Sequence, residues 1–500
     1  MTTKSYIQKA AQGTGIILVL TLLASLFGYL IRITLASKLT PEEYGLFYAV
    51  FIFIGFLWLF KHLGLNSALT KFIPEFLIKK RYTKIKSSIV LVFIIESCLT
   101  GLIALILLLF SKFLSVHYFK SLSAQSILWI LIAYFCISII SDILVSVFLG
   151  FQKHIYYASY FFILNFSVFI FTLIFVNQLG VIAVALGYLF SSIILAVLYP
   201  FLFIKEFNFF KYKTKISSGL TKKLVMFGLP LVFAFIGGKV IGYIDTLLLT
   251  YFRSLGEVGV YNVILPTSLL MVSLGSSLAT ALFPMISELF CRGMKKELAF
   301  GLNKIFKYTF IFVIPIGFSL LSFSDFFLHF FFGSYYLSGV NPMRILIIGS
   351  ILYTVATINI SVINGVGKPK ELTKIILIAA GINVLLNLFL IPKYGINGAA
   401  ISTLFCYALI LVMSSIKVSE YIPLKIPWFS WIKTFICGFF FIGIIFILKN
   451  RLNLNVWAEL IIILSVSLAA YTLSLLLFNL IDFKELVHLK NVILKKKNKY

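Results

Sequence analysis

Long apolar runs separated by short, lysine-rich polar segments repeat along the whole chain. They fall near 13–36, 44–61, 87–111, 124–149, 156–177, 180–204, 225–251, 258–284, 305–328, 344–364, 372–392, 396–416, 429–449 and 456–481. Most approach the roughly 20 apolar residues a helix needs to cross hydrocarbon. The short alternating segments of a membrane barrel do not recur. Backbone polar groups in lipid must be satisfied within the chain, so these runs predict helices. The pattern predicts an all-α integral membrane protein with about fourteen transmembrane helices. The second run is short, and the ninth ends in the ambiguous stretch SFSDFFLHFFFG. The first run leads into KLTPEEYG rather than a small-residue cleavage site, so it is expected to stay as a span.

Composition agrees with lipid as the main solvent. Of 500 residues, 61% are hydrophobic and 12% charged, against roughly 45–50% and 25% in soluble proteins. The net charge of +27 is explained by where it sits. With the N-terminus placed in the cytoplasm, inner segments hold 33 of the 43 Lys and Arg, seven of them in 61–86, and outer segments hold eight. That bias fixes orientation, with both termini cytoplasmic in the plasma membrane, and brings the basic face to anionic lipid. It also disfavours nucleic acid as a partner. The five cysteines lack CxxC spacing and read as small apolar residues. The five histidines show no carboxylate or cysteine at ligand spacing, so no metal site is expected. Trp129, Trp428, Trp431 and Trp457 fall at span starts, as an interfacial belt would.

The chain also repeats itself. GYLIRITLASKLTPEEYGLF (28–47) matches GYIDTLLLTYFRSLGEVGVY (242–261), and SALTKFIP (67–74) matches SLATALFP (277–284). LGFQK (149–153) and LGVIAVALGYLF (179–190) match NGVGK (364–368) and YGINGAAISTLF (394–405). The offsets lie between 210 and 215 residues. The expected organisation is a six-helix lobe over 1–216, a second over 217–428, two further helices within 429–481, and a basic cytoplasmic tail at 482–500. An even number of helices between copies gives the lobes parallel topology, with a site expected between them and alternating access as the natural motion.

The run RITLASKLTPEEYGLFYAVFIFIGFLWLFKHLGLNSALTKFIPEFL resembles the N-terminal signature of polysaccharide and O-antigen flippases. These belong to the multidrug/oligosaccharidyl-lipid/polysaccharide (MOP) exporter superfamily. FGLPLVFAFIGGKVIGYIDTLLL, SSLATALFPMISEL and INGVGKPKELTKIILIAAGINVLLNLFLIPKYGINGAAIST are similar to its later blocks. The resemblance covers most of residues 13–416. It implies a MATE-like fold and transfer of a prenyl-pyrophosphate-linked oligosaccharide from the inner to the outer leaflet, without ATP hydrolysis. It carries no catalytic residues and no cofactor beyond a possible coupling H+ or Na+. A monomer is expected.

Few charges fall inside the spans: Arg32, Glu96, Asp142, Lys239 and Asp245, with Asp325 near the end of the ambiguous ninth run. Each costs about 2.5–3.5 kcal/mol near the bilayer centre on insertion scales, so each needs a partner or a cavity. Lys239 lies sixteen residues beyond Lys223, about 24 Å along a helix and too deep to reach the interface easily. The repeat puts Arg32 and Asp245 at nearly equivalent positions. Two readings stand. Arg32 and Lys239 receive the pyrophosphate, with Asp245 and Asn262 beside them; or Arg32 and Asp245 form a permanent ion pair or gate. Arginines on the first helix take the phosphate role in lipid II flippases of this superfamily, which Arg32 resembles in location. Glu96 and Asp142 are coupling candidates, or else carboxyls bonded to the neighbouring Ser97 and Ser141. A cation-coupled multidrug exporter is the alternative function, and its cavity should be net acidic. A membrane glycosyltransferase would need a larger loop or an acidic cluster than this chain offers, so an enzyme is not expected.

Overall fold

The computed structural model describes residues 3–424, 427–449 and 456–481. The expected tail at 482–500, along with Lys425 and Arg451, lies outside the described residues. The helices are α1 (Thr3–Lys38), α2 (Pro41–His62), α3 (Leu65–Ile78), α4 (Tyr82–Leu109), α5 (Ala124–Gly150), α6 (His154–Leu179), α7 (Val181–Glu206) and α8 (Ser218–Phe252). They continue as α9 (Leu255–Ser268), α10 (Leu270–Cys291), α11 (Lys295–Ser322), α12 (Ser324–Phe332), α13 (Val340–Gly365), α14 (Pro369–Tyr421), α15 (Trp428–Leu448) and α16 (Val456–Leu477). No strand occurs among the described residues. The protein is an all-α integral membrane protein.

Among the described residues, thirteen helical runs are long and apolar enough to cross a membrane, one of them being the 53-residue run Pro369–Tyr421. Unbroken, that run would extend about 80 Å, against a hydrocarbon core of about 30 Å. Gly395 breaks it, with φ 55° and ψ −131°. Two crossings result, which makes fourteen. The ninth span closes at Ser322, and the ambiguous stretch beyond it forms the separate helix α12. Asp325 there is therefore no lone intramembrane charge: Lys449 Nζ lies 3.0 Å from its Oδ2. Partial burial would raise this carboxyl, but hydrogen bonds from the Lys449 ammonium hold it below the usual range.

The polar segment 61–86 is largely helical. In α3, Leu65, Ala68, Leu69, Phe72, Ile73 and Phe76 are buried on one face while Lys71 faces outward, as does Lys79 at the C-cap. This spacing is that of an amphipathic helix. Its 14 residues reach about 21 Å, too short to span. Just upstream, Thr40 caps α2 with a reciprocal box: its Oγ1 accepts from Glu43 N at 3.3 Å, and its own N donates to Glu43 Oε2 at 3.0 Å. Both bonds use backbone donors left open by the helix start.

Close packing divides the chain into two units. The first comprises residues up to Val263 together with Phe331–Ser338 and Ala380–Ala399. In it α1 lies along α6, with the Phe27 ring among Phe162, Phe166 and Phe169 at 5.9, 5.1 and 5.5 Å. The second comprises Ile264–Phe330, Gly339–Ala379 and the residues from Ala400 onward. There α10 packs on α13, tied by Ser361 Oγ donating to Ala279 O at 2.7 Å. The last two helices close on α11 through Tyr471 OH to Ile311 O at 2.9 Å. Trp431 is buried against Phe310, with ring centroids 5.2 Å apart, so its ring faces the protein rather than lipid. Cys98 and Cys291 are exposed, whereas Cys406 and Cys437 are buried as small apolar residues would be.

The repeat reappears in the backbone. Gly180 has φ 54° and ψ −132°, nearly the values of Gly395, in a region that side chains rarely tolerate. Lys80 and Gly293, Lys120 and Gly333, and Gln152 and Gly367 also pair at positive φ. The helix ends match too. Arg81 N donates to Phe76 O and Met294 N to Leu289 O, at 2.8 and 3.0 Å. Lys153 N donates to Phe148 O and Lys368 N to Ile363 O, at 2.8 and 3.0 Å. These are left-handed caps that satisfy the last open carbonyls.

Within the first unit, α2 and α9 cross backbone to backbone. A Cβ on Gly45 would fall 1.8 Å from Leu255 O, and one on Gly259 would fall 2.1 Å from Pro41 O. Small residues allow such crossings in lipid. Gly45→Ala should therefore force the helices apart and lower the melting temperature of the purified protein sharply. Gly101→Ala, where nothing lies within 4 Å, should be neutral or stabilising by about 0.5–1 kcal/mol. Equal melting of the two variants would contradict the crossing.

Candidate functional site

Two polar networks lie inside the first unit. In the first, Arg32 on α1 is half-buried, and its Nη1 donates to Asn262 O on α9 at 2.8 Å. Its guanidinium lies over the Tyr48 ring, 4.6 Å from the centroid. Asp245 on α8 is 1% exposed. One of its oxygens accepts from Tyr261 OH at 2.5 Å and the other from Asn387 Nδ2 at 2.6 Å. Asn262 Nδ2 closes the set by donating to Thr246 Oγ1 at 3.2 Å. Arg32 and Asp245 thus join one network through the adjacent residues Tyr261 and Asn262. A direct ion pair between them is not formed here.

Lys239 sits further back on α8. Its Nζ donates to Tyr243 OH at 3.1 Å, and it lies 4.6 Å from the centroid of the same ring. The two residues are one helical turn apart, so this contact is local and needs no second helix. Lys239 and Asp245 do not share a partner.

The second network joins α2, α4, α5 and α6. Lys61 is fully buried, and its three donors are matched: Phe135 O at 2.9 Å, Ser138 Oγ at 2.7 Å and Asp142 Oδ2 at 3.0 Å. Asp142 also accepts from Trp58 Nε1 at 3.3 Å and from Tyr160 OH at 2.9 Å. His62 bridges the two carboxylates, with Nδ1 3.1 Å from Glu96 Oε2 and Nε2 3.6 Å from Asp142 Oδ2. Glu96 is fully buried, and its Oε1 has no hydrogen-bond partner among the described residues. Counting Lys61 as positive and both carboxylates as negative leaves one net negative charge. A single proton would cancel it.

Glu96 and Asp142 are therefore brought together, and neither carboxyl is bonded to Ser97 or Ser141. Lys61, expected in the cytoplasmic segment, is instead inside the bundle, because α2 runs through His62 and turns only at Leu63. His62, which has no carboxylate at ligand spacing in the sequence, meets two in the fold. The signal in the sequence was the shortness of the second apolar run, which stops at Lys61 although a span needs more length. Among the described residues, no group of three or more His, Cys, Asp or Glu side chains is arranged to hold a metal ion.

Removing one member of a buried ion pair strands the other charge, at a cost of about 3–5 kcal/mol, while removing both is far milder. Lys61→Met should accordingly lower the melting temperature strongly. The double variant Lys61→Met/Asp142→Leu should recover most of the loss. If the double variant melts as low as the single one, the pair is not the source of the effect.

The family described as "Polysaccharide biosynthesis protein" matches residues 10–290, and the MatE family matches residues 230–389. An uncharacterized membrane protein of Methanocaldococcus jannaschii is 30% identical over 507 residues, covering 98% of this chain and 100% of its own. The probable low-salt glycan biosynthesis flippase Agl15 of Haloferax volcanii is 24% identical over 257 residues, covering 51% of this chain and 54% of its own. Among solved structures, the lipid II flippase MurJ in an inward closed conformation aligns with a TM-score of 0.76 at 17% identity, over 94% of this chain and 99% of that one. The structural likeness speaks for the fold. Taken with matches that reach along the whole sequence, it leads to one assignment: the chain belongs to the polysaccharide biosynthesis protein family of the MOP exporter superfamily.

Proposed function

We propose that this protein moves a prenyl-pyrophosphate-linked oligosaccharide from the inner to the outer leaflet of the plasma membrane by alternating access. Three relatives carry names of this class: a glycan biosynthesis flippase, an O-antigen transporter and a lipid II flippase. One observation in this chain carries the reading. Among the described residues, of the intramembrane cations Arg32, Lys61 and Lys239 only Lys61 is matched to a carboxylate. Arg32 and Lys239 rest on a carbonyl, tyrosine rings and a hydroxyl. Cations held in hydrocarbon without an anion suit a substrate that brings its own. Arginine offers a fork to phosphate oxygens, and lysine a compact charge.

Arg32→Ala and Lys239→Ala should each weaken binding of such a lipid to protein in nanodiscs by tenfold or more, about 1.4 kcal/mol. Wild-type protein that ignores the lipid but takes up organic cations, with Asp245→Asn abolishing uptake, would replace this reading with a multidrug exporter.

The second network suits proton coupling. His62, Glu96 and Asp142 share one uncompensated negative charge, with Glu96 fully buried and His62 and Asp142 partly exposed, flanked by Lys61 and Tyr160. In proteoliposomes, a proton gradient should stimulate transport by wild type. Glu96→Gln should lose that stimulation while still binding the lipid-linked glycan. Unchanged stimulation in the variant would remove Glu96 from the coupling step.

A further inference from the structure

Away from both networks, the first unit carries a cluster of uncommitted cations at the start of α4. Lys80, Arg81, Lys84 and Lys215 rim a cleft of about 520 Å³, within the size range of small-ligand sites. Its floor is the stacked pair Tyr82 and Tyr212, with centroids 5.1 Å apart and planes at 24°. The linker after α7 is pinned to α4 at this point. Lys86 Nζ donates to Tyr212 O, and Lys215 N donates to Ser87 Oγ, both at 2.8 Å.

Among the described residues no carboxylate lines the cleft. Glu75 is engaged by Lys79 and Lys223, and Glu206 by Lys153. Four like charges around one cleft repel one another, and an anion would relieve them.

A second feature adjoins the first. Ile89, Phe93, Ile140, Phe203 and Phe210 line an open apolar groove of about 330 Å³. Ile89 follows Tyr82 by seven residues on the same helix, about 10 Å along its axis. The segment 209–212 runs from one to the other: Tyr212 lines the cleft, while Phe209 and Phe210 line the groove. Lys86 marks the border, with its Nζ 4.6 Å from the Phe209 ring centroid.

A free phosphate compound would use only the basic half. A lipid would use both. Basic pockets between spanning helices on the cytoplasmic side suit anionic head groups. We propose that this cleft and groove together bind one anionic membrane phospholipid, with its phosphate among Lys80, Arg81, Lys84 and Lys215 and a chain along Phe93 and Phe210. The site is read by binding alone, so its failure and the failure of the transport reading are separate events.

The test is the melting temperature of detergent-purified protein titrated with phosphatidylglycerol, phosphatidylcholine or inorganic pyrophosphate, since ligand that binds the folded state raises it saturably. Wild type should respond to phosphatidylglycerol and not to phosphatidylcholine. Lys80→Gln/Arg81→Gln/Lys84→Gln should raise the apparent Kd tenfold or more, and Ile140→Trp, which fills the groove, should weaken binding as well. Lys295→Gln/Lys296→Gln, which removes two cations outside the cleft, should leave it unchanged; loss in this control equal to that in the triple variant overturns the proposal. Pyrophosphate binding as tightly as lipid, indifferent to Ile140→Trp, overturns it in favour of a soluble anion. A prenyl pyrophosphate that displaces phosphatidylglycerol at one-tenth its concentration overturns it in favour of carrier docking.

Discussion

Hydrocarbon offers no partner to a charge, and the polar architecture of this protein follows from that constraint. Lys61 answers it fully, with three donors on three acceptors and Asp142 among them. Asp245 answers it with a phenol and an amide. Arg32 and Lys239 answer it only in part, through a carbonyl, a hydroxyl and aromatic faces. A cation–π contact is worth roughly 0.5–2 kcal/mol, less than the cost of placing a charge near the bilayer centre. Among the cations the deficit falls on these two side chains; among the anions it falls on Glu96, whose Oε1 has no hydrogen-bond partner among the described residues.

The spans were legible in the sequence because the need for internal hydrogen bonding acts on every residue of a run. The break between the eleventh and twelfth spans was legible for a related reason: YGING places a glycine where the backbone must leave helical geometry, and Gly395 does so. The pairing of charges was less legible. Lys61 and Asp142 are 81 residues apart, and nothing in the periodicity of either helix names the other. His62 sits next to a lysine at a span end, where a solvent-facing reading is natural. Only the packing of α2 on α5 turns both residues inward. Tyr261 and Asn387 escaped notice because an uncharged side chain in an apolar run carries no demand for a partner that could be read in advance.

The left-handed positions show the same two levels. Glycine holds them in the second copy at 293, 333 and 367, while the first copy holds them with Lys80, Lys120 and Gln152. A non-glycine residue there costs about 1–2 kcal/mol, and the surrounding cap hydrogen bonds keep the conformation regardless. The repeat is thus stricter in backbone than in residue type, and for that reason it reads as scattered matches in the sequence and as aligned helix ends in the fold.

The crossing of α2 and α9 has a meaning beyond packing. Gly45 meets the carbonyl of Leu255, and Gly259, its counterpart in the repeat, meets the carbonyl of Pro41, the counterpart of Leu255. Each surface touches its own copy, which is the signature of an isologous contact. A shorter ancestor with six helices could have made this contact between two identical subunits. Fusion of two such genes would then have preserved a dimer interface inside one chain, and left each half free to acquire its own charges.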